Sequence, residues 1–255
     1  MKRIAVIIVL LLLLGAVKLP LEKRLSDAHR AAFFHGAKLD LPLREQIGQG
    51  AFLAALSGFR GVIADVLTLE ANEAWQNTQW NRVQLLYDQI TTLQPRQTIY
   101  WEMASAYMAF DASAAAMQDE KQPRQALRVK AAREYMQVGR EFLEKGIRNN
   151  PDRYVLYNRL GFLLMFKIQD HYGSYLAYSK AAQFPDCMGY ERRFAAYELS
   201  KCPGHEQEAY RLLKQLYDGG KLERTATLFK RLEAMEEKLG VPPEQRVYKA
   251  PGKNP

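Results

Sequence analysis

The stretch 149–185 constrains this chain more than any other. It opens on Asn149-Asn150-Pro151 and closes on Pro185, with the two prolines thirty-four positions apart. Between them, Tyr157, Leu160, Gly161 and Leu164 fall on one side of a first expected helix, and Ser174, Tyr178 and Ala181 on one side of a second. Proline does not continue a helix, so the span between the two holds a pair of helices and a turn. Gly161 has no side chain and lets the backbones of such a pair approach closely, while the large residues fill the space around the contact. The rest of the chain reads as less regular copies of this unit.

Composition agrees with an all-α chain. Alternating strand patterns are scarce across the 255 residues, and long segments of Ala, Leu, Glu, Gln, Lys and Arg are punctuated by Pro or Gly. The net charge of +8 comes from 36 basic and 28 acidic residues interspersed along nearly every expected helix. That pattern describes a solvated surface, and no nucleic-acid partner is expected from it. A basic nucleic-acid-binding solenoid stays as an alternative that salt-sensitive binding would reveal. Cys187 and Cys202 form no CxxC pair and no disulfide framework.

Copies of the helix pair lie on both sides. Leu67, Ala71 and Ala74 line one helix of a first copy that starts near Asp65, with Trp80 at its turn and Val83, Tyr87, Ile90 and Pro95 on its second helix. A second copy opens with Trp101, Ala104, Ser105 and Met108, carries an insertion near 111–128, and regains phase at Gly139, Leu143, Gly146 and Pro151. Pro95 and Pro151 are fifty-six apart, one period plus twenty-two residues. A fourth copy runs through Tyr190, Phe194 and Tyr197, a turn at Pro203-Gly204, then Ala209, Leu213 and Leu216. Over 65–220 the chain resembles the tetratricopeptide repeat, a right-handed αα-hairpin solenoid of this period. The segment 221–239, with Leu228, Leu232, Met235 and Leu239 on one face, suits the capping helix a solenoid needs. The tail 240–255, rich in Pro, Lys and Gly, is expected to be disordered.

Ahead of the repeats, Met1-Lys2-Arg3 leads into a mostly aliphatic, uncharged run over 4–17. Residues 1–21 are expected to form a transmembrane or signal-anchor helix, with Lys18 snorkelling and Leu19 and Leu21 extending the apolar length. The rival is a cleaved signal peptide, but a small-x-small cleavage site is missing. The basic start followed by the apolar run has the polarity of an export signal, so a single-pass membrane protein with its bulk outside the cytoplasm is expected, whereas a strict count of Lys18, Lys23, Arg24 and Arg30 on the other flank would keep the bulk inside. The segment 22–64 reads as a helical linker and packing helices, and its second half overlaps a long helical region over 44–78 that Gly48, Gly50, Gly58 and Gly61 interrupt.

The chemistry points to binding. His29, His35, His171 and His205 are scattered, no HExxH or phosphate-cradling motif occurs, and Asp170-His171 is only a neighbour pair in a turn. No catalytic residue, metal or cofactor is expected. An envelope enzyme such as a solenoid-type cell-wall hydrolase remains the alternative, with Glu70 and Glu73 near Trp75 as its only suggestive carboxylates. In the repeat family, first helices line a concave groove that takes peptide from a partner. That resemblance implies a groove of Asp65, Thr68, Asn72 and Trp75 in the first copy, Ile99, Glu102 and Ala106 in the second, and Val155, Asn158, Phe162 and Met165 in the third. Asn72 and Asn158 would bond a peptide backbone, while Phe162 and Met165 would receive an apolar side chain. A scaffold or adaptor of a bacterial envelope complex, holding a protein or peptide partner at the membrane, is the function these expectations imply.

Overall fold

A computed structural model describes residues 58–247 of the chain. These are helical with no strand among the described residues. The expected anchor 1–21, the packing segment up to residue 57 and the end of the tail lie outside them. Among the described residues no helix is long and apolar enough to cross a membrane. The chain divides into two compact units, and the boundary follows Pro151, the proline that opens the thirty-four-residue stretch.

The first unit contains α1 (Arg60–Gln76), α2 (Trp80–Leu93) and α3 (Thr98–Ala106). A π-helical segment (Tyr107–Ala112) continues α3 into α4 (Ser113–Gln118), and α5 (Gln125–Asn149) follows. Of the region expected to be helical over 44–78, the described part is helical from Arg60 to Gln76, preceded by Gly58, whose φ of +91° is one that glycine adopts without strain. α1 packs on α2 and buries Ala64, Leu67, Ala71 and Ala74, small enough for a close approach, while α2 buries Val83, Leu86, Tyr87, Ile90 and Leu93. The turn between them reverses through Thr78, at φ +54°, and the Gln79 N–H donates back to the Ala74 carbonyl at 2.8 Å.

α5 lies against α3, the π segment and α4. Two glycines permit it: a Cβ on Gly146 would stand 2.8 Å from Cγ of Trp101, and one on Gly139 2.6 Å from Cβ of Ala109. The Pro95 carbonyl fastens the lower end, accepting from Trp101 Nε1 at 2.9 Å and from Asn150 Nδ2 at 2.8 Å. Arg96 donates to the Asn149 carbonyl at 2.6 Å, placing a cation where the dipole of α5 is negative. The insertion at 111–128 adds little loop. Helix continues to Gln118 and resumes at Gln125, so the extra residues lengthen both members of the pair.

The second unit contains α6 (Tyr154–Leu163), a π-helical continuation (Leu164–Ile168), α7 (His171–Ala181), α8 (Tyr190–Leu199), α9 (Glu206–Asp218) and α10 (Ala226–Lys238). Each helix packs on the next. Gly161 performs the expected role: a Cβ there would lie 2.9 Å from the Tyr178 ring, and its carbonyl accepts from Ser174 Oγ at 2.8 Å. α9 and α10 close the far end, burying Ala209, Leu213 and Leu216 with Leu228, Leu232 and Met235 against Ala196 and Leu199 of α8. The expected capping segment 221–239 is thus helical from Ala226, where Thr225 Oγ1 accepts the Leu228 N–H at 3.2 Å.

The tail departs from expectation at its start. Instead of lacking order from residue 240, the chain makes a 3₁₀ turn at Pro243–Gln245, and Val247 packs on the core of this unit. The cause is Glu236, buried in α10, whose Oε1 accepts the Val247 N–H at 2.7 Å and the Tyr210 hydroxyl at 3.2 Å. A buried carboxylate needs such donors, and the tail supplies one.

Candidate functional site

Several residues placed in a first-helix groove instead hold helices together. Asp65 accepts from the Tyr100 hydroxyl at 3.2 Å and Trp75 Nε1 donates to Asp111 Oδ2 at 2.8 Å, so both tie α1 to the helix that starts at Thr98. The Trp75 ring also lies 5.7 Å from the Tyr107 ring. Thr68 Oγ1 donates into its own helix, to the Ala64 carbonyl at 2.7 Å. Asn72 is exposed on α1. Ile99 and Ala106 are exposed and Glu102 half-buried, on a different side of α3 from Tyr100.

In the second unit the clearest departure is Asn158. It is 7 % exposed, and its Nδ2 donates to the Tyr190 hydroxyl at 2.7 Å and to Glu191 Oε1 at 2.8 Å, which commits it to the α6–α8 junction rather than to a peptide. Glu191 is wholly buried, and the Met188 N–H is its other donor at 3.4 Å. Val155 and Met165 are half-buried. Phe162 keeps the exposure expected of a docking residue, stacked on Phe166 with ring centres 5.6 Å apart.

The Asp170-His171 neighbours part company. Asp170 caps α7, its Oδ1 accepting the Gly173 N–H at 2.9 Å. His171 Nδ1 instead meets Oε2 of the buried Glu198 at 2.7 Å, and Lys201 bonds the other oxygen of that carboxylate. The arrangement orients an imidazole, as catalytic dyads do, yet the nearby thiol is tuned the wrong way for a nucleophile. Burial and the Glu198 charge push the Cys202 thiol up, so less of it is thiolate at neutral pH. Its Sγ–H donates to the Glu198 carbonyl at 3.4 Å. The cluster ties α7 to the end of α8 and satisfies a buried carboxylate. Among the described residues no group of three or more His, Cys, Asp or Glu side chains could hold a metal ion.

Between α7, α8 and α9 lies a cleft of about 530 Å³. Ala182, Ala195, Leu212 and Leu216 give it an apolar floor, and Ser179, Gln183 and Gln215 a polar rim. The Tyr175 hydroxyl at its edge donates to Glu208 Oε1 at 3.0 Å. Glu223 also lines the cleft but is paired with Arg193 at 3.1 Å. The guanidinium of Arg192, exposed on the lining, makes no ion pair among the described residues. An apolar base with a few amides and one cation offers what an extended peptide needs: a place for a side chain, partners for backbone groups, and a charge for a carboxylate.

Sequence reasoning missed this cleft because two of its walls, α7 and α9, are second helices, and the family resemblance directs attention to first helices. The small residues Ala182, Ala195 and Gly219 were the available signal, since a low floor requires them. No family model, curated protein or solved structure matches this chain.

Proposed function

We propose that the chain is a membrane-anchored adaptor, built as a tetratricopeptide-like αα-hairpin solenoid, that holds a protein or peptide partner of an envelope complex in the cleft of its second unit. The cleft itself carries the proposal, since it joins an apolar floor to amide side chains and an exposed arginine. Its ligand is an extended segment with an apolar side chain on Ala195, Leu212 and Leu216 and a carboxylate, terminal or acidic, at Arg192. Helix pairs opening at Arg60, Thr98, Tyr154 and Tyr190 support the repeat reading, as does the glycine-to-aromatic contact of Gly161 and Tyr178. The uncharged run over 4–17 supports the anchor. Confinement to a membrane raises the effective concentration of the partner, so modest affinity in an open cleft is enough.

The test blocks the cleft, and its charge reversal, at an exposed position, leaves the helix packing alone. Ala195→Trp fills the floor and Arg192→Glu reverses the charge; both should cut partner recovery after gentle detergent extraction by tenfold or more, on the order of a lost buried anchor. Helicity by circular dichroism should be unchanged for Arg192→Glu. Full recovery of the same partner with both variants would refute the cleft as the contact surface.

A further inference from the structure

The residues inserted at 111–128 do more than lengthen a helix pair. Together with the α1–α2 turn they wall a second cleft, of about 450 Å³, within the first unit. Ala115 and Ala116 of α4 and Ala131 of α5 line it with small side chains, which keep the space open. Trp80 at the start of α2 and Tyr135 of α5 contribute half-buried rings that stack on no other aromatic among the described residues. Lys121 and Arg128 line the cleft against the one acid Asp119, which leaves a surplus of one positive charge. Neither cation makes an ion pair among the described residues. The one bond of the Arg128 guanidinium among them runs from Nη1 to the Met117 carbonyl at 3.5 Å, the outer limit for such a bond, and its buried Nε has no partner. Asp119 is already engaged, its Oδ1 accepting the Lys121 N–H at 3.0 Å. Gln122 Oε1 accepts the Arg124 N–H at 3.4 Å, which leaves the amide N–H groups of Gln122 for another acceptor. The α5 dipole adds to the positive sign here, because its first turn holds no acid and its N-cap, Arg124, makes no side-chain bond. Arg128 is thus a cation near the positive end of a helix, an arrangement that an anion in the cleft relieves.

We propose that this cleft is a binding site for a small aromatic carboxylate, held through its charge by Arg128 and Lys121 and through its ring by Trp80 and Tyr135. The surplus of one charge selects a monoanion, since a dianionic phosphate would leave a negative charge unmatched beside Asp119. The unstacked rings and the alanines select a flat apolar body, which gains from contact with a π-face as a bare carboxylate does not. The volume also lies within the roughly 300–1,000 Å³ of small-ligand sites. This ligand is distinct from the peptide of the second unit, and the two clefts share no residue.

The experiment titrates the purified full chain with benzoate, phenylacetate and 2-naphthoate, each beside its neutral amide, and with acetate, by saturation-transfer-difference NMR. At least one aromatic acid should bind saturably and roughly tenfold or more tighter than its amide, the scale of a charge-assisted hydrogen bond. Acetate should bind more weakly than that acid. Arg128→Gln should bring the acid down to the level of the amide, Trp80→Ala should weaken both, and Arg192→Glu in the other cleft should change neither. No saturable binding by any of the three acids, equal binding of acid and amide, or acetate binding as tightly as the aromatic acids overturns the proposal. So does a loss on Arg192→Glu, or unchanged binding by Arg128→Gln. If Arg128→Gln loses helicity, Lys121→Gln, at an exposed position outside the helices, carries the same test. A loss of roughly twofold or more there, the scale of an exposed ion pair, supports the site, and unchanged binding overturns it.

Discussion

Gly161 shows how much one residue decides in this chain. Its missing side chain is the reason α6 and α7 meet through the face of Tyr178, and helix propensity alone argues for changing it: alanine is favoured over glycine by about 1 kcal/mol in a helix interior. The contact distance argues the other way, since a Cβ would sit 2.9 Å from the ring. Overpacking of a close core contact costs about 1–3 kcal/mol. Gly161→Ala should therefore lower the melting temperature, and a rise would mean that the two helices do not pack this closely. Gly161 was legible in the sequence because its role is set within its own helix pair, with Tyr178 seventeen positions on. Asn158 was not. Its polar side chain suggested a ligand contact, and only Glu191, 33 positions away, reveals it as an internal partner.

At the scale of elements, the joints between helices include polar contacts beside the apolar ones, and their charges do not all stabilise. Asp88 of α2 faces Lys145 of α5 at 3.8 Å, which looks like a useful ion pair. Burial nonetheless holds the Asp88 carboxyl above its ordinary value, with Glu141 adding to the rise and Lys145 opposing it. A carboxyl whose folded pKa is raised favours folding in its protonated form, so its contribution is present below the unfolded value near 3.8 and is lost as pH rises through the higher folded one. Asp88→Asn should thus leave the melting temperature at pH 7 unchanged or higher, and match the wild type at pH 3. A clear fall at pH 7 would show that the pair outweighs its desolvation. Helix positions were legible here because apolar residues recur at three and four: Val83, Tyr87 and Ile90 mark α2, although the helix stops at Leu93, short of the expected Pro95. The π segments were not, since the extra residue at Tyr107–Ala112 shifts the phase in a way no composition signals. The order at the start of the tail was equally hidden, because it depends on Glu236 in another element.

For the whole molecule, the sequence conveyed an all-helical chain of paired helices and a closing helix near its end, because those follow from periodicity and punctuation. It did not convey which surface works. The polar groups of the first helices are largely consumed in joining helices to one another, as Asp65, Trp75 and Asn158 show, whereas Gln215 and Arg192 are exposed on the cleft, beside Gln183 whose Oε1 accepts from Lys180 Nζ at 3.2 Å. A surface whose polar groups are already satisfied gains little from a ligand, and one with exposed donors over an apolar floor gains more. The account therefore turns on the cleft being occupied by a partner in the working protein. The most direct measurement places a photo-crosslinking residue at Gln215, on the rim, and separately at Glu233, on the exposed side of α10, in the chain expressed in intact cells. The account predicts a discrete protein product from position 215 that is absent from position 233 and is competed away by the Arg192→Glu substitution. No product at 215, or the same product from both positions, would contradict it.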